Sequence, residues 1–466
     1  MTDDATAVDA DALALDRLRT LIRIPTMSRR ESGPGPRADR EPFEQFIAEL
    51  PVLYPRVHAV LERERLGGPT VLGDPHSPGY ALLYRWAGSD ASGASTPTVL
   101  MAHYDVVPAD DEGWHHPPFA AELSDDGSVL WGRGTVDDKG SLVAILEAVE
   151  RLLEQGFQPR HDVLLVFGHD EEVAGTGVQA IVAALRERGI RPSLVVDEGG
   201  AIVRDVFPGL ADDAALIGVT EKGITTLVLR VEQQGGHASA PPPFAATERL
   251  ARAVLRLNAR QAPARLDPVM RRMIRTLGAG ASQPLRFIFS HVDAFAPLLL
   301  RVLRSRGAET TALLRTTRAV TQLRAGHAAN ALPEFAEATV NIRIAPWSSV
   351  AETVEQVRTA IADELVAIDV LDPSEPSPVS PAEGPAWDDL VAAIHEHHPG
   401  MLVSPYTMMQ ASDSRHMTAI SQFVYRFAPF RLSGEERACL HAKNERIRVQ
   451  SFLDGIEVYA SLLRRR

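Results

Sequence analysis

A chain of 466 residues with 45% hydrophobic and 23% charged side chains is long enough for two or three buried cores, and it holds no run of about 20 apolar residues able to span a bilayer. The net charge of −13 argues against a nucleic-acid partner. A single cysteine, Cys439, leaves no disulfide framework within the chain, and the acidic, alanine-rich start from Met1 to Asp16 shows no signal or lipid-anchor pattern, so the expected location is the cytoplasm.

In chain order, Leu13, Leu15, Leu18 and Leu21 recur at helical spacing and predict an entry helix over Asp11 to Ile22, which Pro25 helps to end. A loop rich in Gly, Pro and Arg follows around Ser32 to Arg40. Short apolar runs then alternate with longer helical patterns through Val195, the signature of an α/β fold. Thr98 to Ala102, Val163 to Phe167 and Leu194 to Val196 read as buried strands, apolar on both faces. Ser141 to Glu154 reads as a helix with Leu142, Ile145, Leu146, Val149, Leu152 and Leu153 on one side and Gly156 as its stop.

Near Gly218 the pattern changes to a β-rich run at Ile224 to Val231, long helices, and an alternating strand at Ala338 to Ile344. In the helices Val254, Leu255 and Leu257, then Val269, Met270, Met273 and Ile274, are the expected inner residues, and the many arginines between Arg252 and Arg324 the solvated face. The Pro- and Ser-rich stretch from Ser374 to Pro385 reads as a crossover back to the first fold. The expected organisation is one α/β domain from residues 1–217 and 376–466, interrupted by an α+β domain at 218–375.

Chemistry concentrates where the predicted strands end. "VLMAHYDVVP" places His103 and Asp105 two positions apart, with side chains on the same side. Taken alone this is more often a structural hydrogen-bonded pair; beside a metal, such a carboxylate orients its histidine. "LWGRGTVDDKGS" delivers Asp137 and Asp138 ahead of the Ser141 helix, either as an acidic turn favourable to the helix dipole or as cation ligands. A wholly apolar strand runs into "HDEEVAGTG", with His169, Asp170, Glu171 and Glu172, and another ends in Asp197 and Glu198. Ligands and reactive groups in α/β sheets gather at strand C-termini. Oxygen and imidazole donors without thiolates suit zinc, cobalt or manganese, and two such ions about 3.5–4 Å apart can share a bridging carboxylate.

Taken together, "AHYDVVP", "GWHHPPF", "GRGTVDDKG", "DEEVAGTG" and "DEGG", in this order and spacing, resemble the M20 metallopeptidase family over nearly the whole chain. "SDSRHM", "YRFAPF" and "HAKNERIRVQ" are similar to its Gly-X carboxypeptidase and N-acyl-amino-acid hydrolase branch. The resemblance implies an α/β, zinc-exopeptidase-like catalytic domain with an inserted α+β dimerisation (lid) domain, and a two-metal hydrolase that cuts the amide of a dipeptide or N-acyl amino acid beside a free carboxylate. It makes His103 a ligand of one metal, His441 of the other and Asp137 the bridge. Glu172 and one of Asp197 and Glu198 complete the set, with Glu198 preferred and Asp197 kept open.

Glu171 is implied as general base and Asp105 as the group orienting His103, with a cis peptide at Asp137–Asp138. His237 in "QQGGHASAP" is implied to reach a neighbouring subunit's site, hence a homodimer. Asn330 and Arg343 are implied to hold the substrate, and Asp413 and Arg415 are further pocket candidates. "ASDSRHM" departs from the glycine–threonine loop of many relatives, and Ala262 to Ala319 is long for the inserted domain, with a helical apolar face at Phe295, Leu298, Leu299, Leu300, Val302 and Leu303 suited to a lid or a subunit contact. The rival readings are a carnosinase-like dipeptidase or succinyl-amino-acid deacylase of the same family, and a catalytically silent binding protein. His58, His76, His161, His291 and His397, outside any acidic cluster, read as surface or core histidines, and Cys439 as a packing residue.

Overall fold

The computed structural model describes residues 3–29, 40–67, 79–90, 96–204, 207, 209–210 and 212–466. The Ser32–Arg40 loop, Arg40 aside, and His76 lie outside the described residues.

The apolar runs form the centre of a ten-stranded sheet. Thr98–His103 pairs in parallel with Val163–Gly168 on one side and Leu194–Asp197 on the other. Ala81–Trp86 extends the sheet antiparallel beyond Val163–Gly168, and Val424–Arg426, from the far end of the chain, pairs in parallel with Leu194–Asp197. The period of two in a strand explains why these runs are apolar throughout. Leu100 and Ala102 join the core built on the Lys139–Glu154 helix, whereas Val99 and Met101 join the one built on Gly177–Glu187. With both faces covered, only the strand ends are left to carry polar side chains.

The second sheet has four antiparallel strands in the order Thr317–Arg324, Phe335–Ile344, Gly223–Glu232, Ala367–Ser374. Its inner face, including Leu227, Leu229, Ala338, Val340 and Ile342, packs under the helices Ala246–Ala259 and Val350–Ile361. Here one face is open, and burial alternates strictly along Phe335–Ile344. Leu255 differs from expectation: it is 70% exposed. The buried stripe of that helix is Leu250, Ala253 and Leu257, whose spacing turns position 255 to the opposite side.

The long stretch from Ala262 divides from this second sheet. Its helices Pro268–Gly278, Leu285–Ser290 and Ala296–Ser305 bury Met270, Ile274, Leu277, Phe289 and Leu299 against Phe207, Leu210 and Ala214, beside the edge of the large sheet. Several arginines expected to be simply solvated are paired: Arg249 and Arg252 share Asp363 at 2.6 and 2.7 Å, and Arg271 and Arg275 share Asp293. The entry helix runs over Asp3–Ile22, beginning earlier than its leucine pattern, and the Ser141 helix starts at Lys139.

Candidate metal centre

Two trios of nitrogen and oxygen donors meet at Asp137. His103, Asp137 and Glu198 form one, and Asp137, Glu172 and His441 the other, each with its donor atoms within 4.8 Å of one another. The carboxylate of Asp137 divides between them. Its Oδ1 lies 3.0 Å from His103 Nε2 and its Oδ2 lies 3.0 Å from His441 Nε2. Glu198 Oε1 is 3.5 Å from His103 Nε2, and Glu172 Oε2 is 3.1 Å from His441 Nε2. The second oxygen of Glu172 is buried without a hydrogen-bond partner. Such a donor set, all imidazole and carboxylate with one acid shared, fits a pair of divalent cations.

Local structure explains how each donor arrives. His103 ends its strand, and Glu198 follows the last residue of the neighbouring one, so the ladder between those strands spaces them. Asp137 sits in the loop before the Lys139–Glu154 helix, with a cis peptide to Asp138. Glu172 lies in a single 3₁₀ turn, Glu171–Val173, directly after the Val163–Gly168 strand. His441 comes from a C-terminal turn and stands in the left-handed region at φ 57°.

A second layer of contacts holds these groups. Asp105 is wholly buried, and its carboxylate oxygen lies 3.3 Å from His103 Nδ1, which also meets the Asp105 carbonyl at 2.9 Å. That carboxylate accepts the Ser28 hydroxyl at 2.6 Å and the backbone N–H groups of Glu171 and Glu172, each at 3.2 Å. One acid therefore aligns a histidine of the first trio and the turn that supplies the second. Asp138 accepts from the His103 N–H at 3.3 Å, and Asp170 caps Thr176 and Gly177 at the start of the next helix. Sequence reasoning did not single out Ser28 or Glu445. Glu445 accepts backbone N–H groups of the Asp137 loop, and its only sequence signal was a place four residues after His441.

Collecting acids in a buried space perturbs them. Burial and the Asp137 charge push Glu198 up to about 8. Burial also acts to raise Asp137, yet hydrogen bonds from His103 and His441 outweigh it and leave the carboxyl below its ordinary range. Hydrogen bonds to Asp137 and Glu172 raise His441 to about 10. Glu171 belongs to neither trio. Burial, opposed by His103 and reinforced by the charges of Glu198, Asp413 and Glu172, holds its carboxyl well above the usual range.

The remaining candidates are more scattered. Asp197 is turned away from both trios and accepts the Ser414 N–H at 2.8 Å, which leaves Glu198 as the member of that pair at the centre. Asp413 is half-buried beside Gly168, with one buried oxygen lacking a partner, and its charge acts on Glu171. Arg415 donates to the Glu375 carbonyl at 2.8 Å and lies 3.9 Å from Glu221, so it braces the return crossover.

Arg343 lies on the second sheet opposite Ile224, close enough for its charge to help lower Lys222 to about 8, after burial. His237 and Asn330 come together on a small exposed ribbon, where the Ala238 N–H donates to the Asn330 carbonyl at 3.1 Å. His237 Nδ1 accepts from the Ser239 N–H. Neither residue bonds to either trio. His58 joins the Tyr54 carbonyl and the Tyr84 hydroxyl, His291 the Phe287 carbonyl, and His161 lies 3.8 Å from Asp90. Half-buried Cys439 is a thiol 3.4 Å from Arg446.

Known proteins resemble this chain in sequence and in fold. The N-fatty-acyl-amino acid synthase/hydrolase PM20D1 of Xenopus tropicalis is 36% identical, covering 96% of this chain and 85% of its own. The probable carboxypeptidase S-like 2 of Dictyostelium discoideum is 34% identical, covering 98% and 85%. Human carnosine dipeptidase 1 shares the fold with a TM-score of 0.67 at 16% identity, over 99% of this chain and 97% of that one. Residues 99–465 match the profile of peptidase family M20/M25/M40, and the chain belongs to that family of metal-dependent hydrolases.

Proposed function

We propose that this enzyme hydrolyses the amide bond of N-acyl amino acids and dipeptides that carry a free carboxylate, using two divalent cations held by His103, Asp137 and Glu198 and by Asp137, Glu172 and His441. The observation that carries this reading is the division of the Asp137 carboxylate between two histidines, each joined by a further acid. Zinc is the first expectation for the ions, with cobalt or manganese as alternatives. Bound there, the ions would polarise the scissile carbonyl and lower the pKa of the attacking water.

Glu171 then does the proton work. Anchored through its backbone to Asp105 and free of both trios, it takes a proton from the attacking water, and its raised proton affinity suits it to hold that proton and pass it to the leaving nitrogen. Asp105 keeps the His103 ring oriented by accepting from Nδ1. Arg343 suits the substrate carboxylate, since its planar guanidinium pairs with two oxygens at once, and the nearby Lys222 adds positive charge. Asn330 and His237 act at the carbonyl, with His237 supplied by the second subunit of a homodimer; their shared exposed ribbon supports an intersubunit role.

The relatives named for fatty-acyl amino acids favour an apolar acyl group, an aminoacylase-type activity, and the word synthase in that name raises condensation when amine and fatty acid are abundant. A cytoplasmic location rests on the single cysteine. The deciding experiment combines elemental analysis with hydrolysis of Gly-Leu, N-acetyl-Leu and N-oleoyl-Phe, with and without chelator. Near two ions per chain and chelator-sensitive cleavage, strongest on N-oleoyl-Phe, is expected. Protein that stays inactive on all three substrates after zinc or manganese is supplied overturns the reading.

A further inference from the structure

Of the five ligands proposed above, His103 and Glu198 stand at strand ends of the large sheet, Glu172 in the turn after a third strand, and Asp137 and His441 on loops. His103 and Glu198 are spaced by adjacent parallel strands, whereas Asp137 and His441 come from loops about 300 residues apart in sequence. Something must hold those loops together. Glu445 and Arg133 do so, and both are buried, with side chains 0% and 3% exposed.

The geometry is that of a clamp. Glu445 Oε1 accepts three loop N–H groups, from Gly134 at 3.0 Å, Val136 at 2.9 Å and Asp137 itself at 3.2 Å. Its Oε2 takes Arg133 Nη1 at 2.6 Å, and Arg133 Nη2 donates to the carbonyl of Ala442, the residue after His441, at 2.9 Å. The Gly132 N–H closes the ring on the Glu445 carbonyl at 3.0 Å. A carboxylate oxygen can gather several N–H donors because it carries charge, and a forked guanidinium holds an acid and a carbonyl together in a fixed planar geometry. His441 has little else to hold it, being more than half exposed in its turn.

We infer that Glu445, with Arg133, is a positioning residue that sets the distance between Asp137 and His441, and that loosening it releases the cation of the Asp137, Glu172 and His441 trio while the His103 and Glu198 side keeps its own. The inference rests on the two-cation reading above. Its test measures metal per folded chain during dialysis against chelators of graded strength for wild type, Glu445→Gln, Arg133→Lys and His441→Ala, with circular dichroism to establish folding.

The wild type should hold two ions. Glu445→Gln, whose amide sets an N–H group against Arg133, should hold one, as His441→Ala does, with the affinity of the lost ion lowered by about 10- to 100-fold. Arg133→Lys, whose shorter ammonium lacks the planar two-pronged hold on Glu445 and Ala442, should fall in the same direction and decides the matter if Glu445→Gln does not fold. Two ions at wild-type affinity in the folded variants, or equal loss of both, overturns the clamp. A wild type that binds fewer than two overturns the two-cation reading beneath it.

Discussion

Glu171 and Glu172 are neighbours in one short turn, yet their surroundings give them different work. Glu172 reaches His441 at 3.1 Å, while Glu171 stays outside both trios with only its backbone tied to Asp105. Glu171→Ala should therefore keep both ions and lose hydrolysis by about 10²- to 10⁴-fold, the usual scale for a positioned proton-transfer group. Metal analysis beside steady-state rates checks this, and a drop in metal content would make Glu171 a ligand instead. At this scale the sequence was highly legible for residues carried by compact motifs, because "AHYD", "DD" and "HDEE" each deliver adjacent polar groups from an apolar strand or a glycine-rich loop. Ser28 and Glu445 were not legible. Each acts by bonding to a segment far away in sequence, and neither spacing nor composition marks such a partner.

Buried charge gathers at the junction of the two sheets. Glu221, at the end of the Ala214–Glu221 strand, meets Arg426 at 2.7 Å with both side chains 0% exposed, and it also accepts from the Ser412 hydroxyl. Removing either partner should cost about 3–5 kcal/mol, since the other charge would be left buried. Lys222, the next residue, donates to the carbonyls of Ala312 and Arg315 and so ties the junction to the helical stretch before the second sheet.

Burial, helped by Arg343, lowers Lys222 to about 8 against an ordinary 10.5. The folded chain thus gives up this proton first as pH rises. Between about 8 and 10.5 the unfolded chain binds more protons, so this residue makes the wild type gain stability across that window. Lys222→Met should lack that gain. Urea unfolding of both proteins at pH 8 and pH 10.5 measures it, and parallel pH profiles would refute the buried charge.

At the scale of the molecule, the ribbon bearing His237 and Asn330 belongs to neither the large sheet nor the four-stranded one, and among the described residues no hydrogen bond joins His237 or Asn330 to the candidate metal centre. If it serves a second subunit, inactive His237→Ala and Glu171→Ala chains should complement each other. A mixed dimer contains one site with its own Glu171 and the partner's intact histidine. Mixing the two variants under conditions that exchange subunits should restore hydrolysis of the same substrate. Continued inactivity in verified mixed dimers would place His237 outside the reaction.

The sequence by itself determined the family, the α/β class, the strand ends that gather polar groups and nearly every residue of the two trios, because each depends on short-range patterns: apolar runs of fixed period, glycine punctuation and adjacent acids. Tertiary structure decided what short range cannot encode. It brought Glu198 to 3.5 Å from His103 and gave Asp197 the Ser414 N–H, contacts set by the backbone at that strand end. It placed the helices after Ala262 beside the large sheet, where Phe207, Leu210 and Ala214 complete their apolar face. It also brought Glu445 to the Asp137 loop, a contact across 308 residues that exists only once both halves of the fold have met.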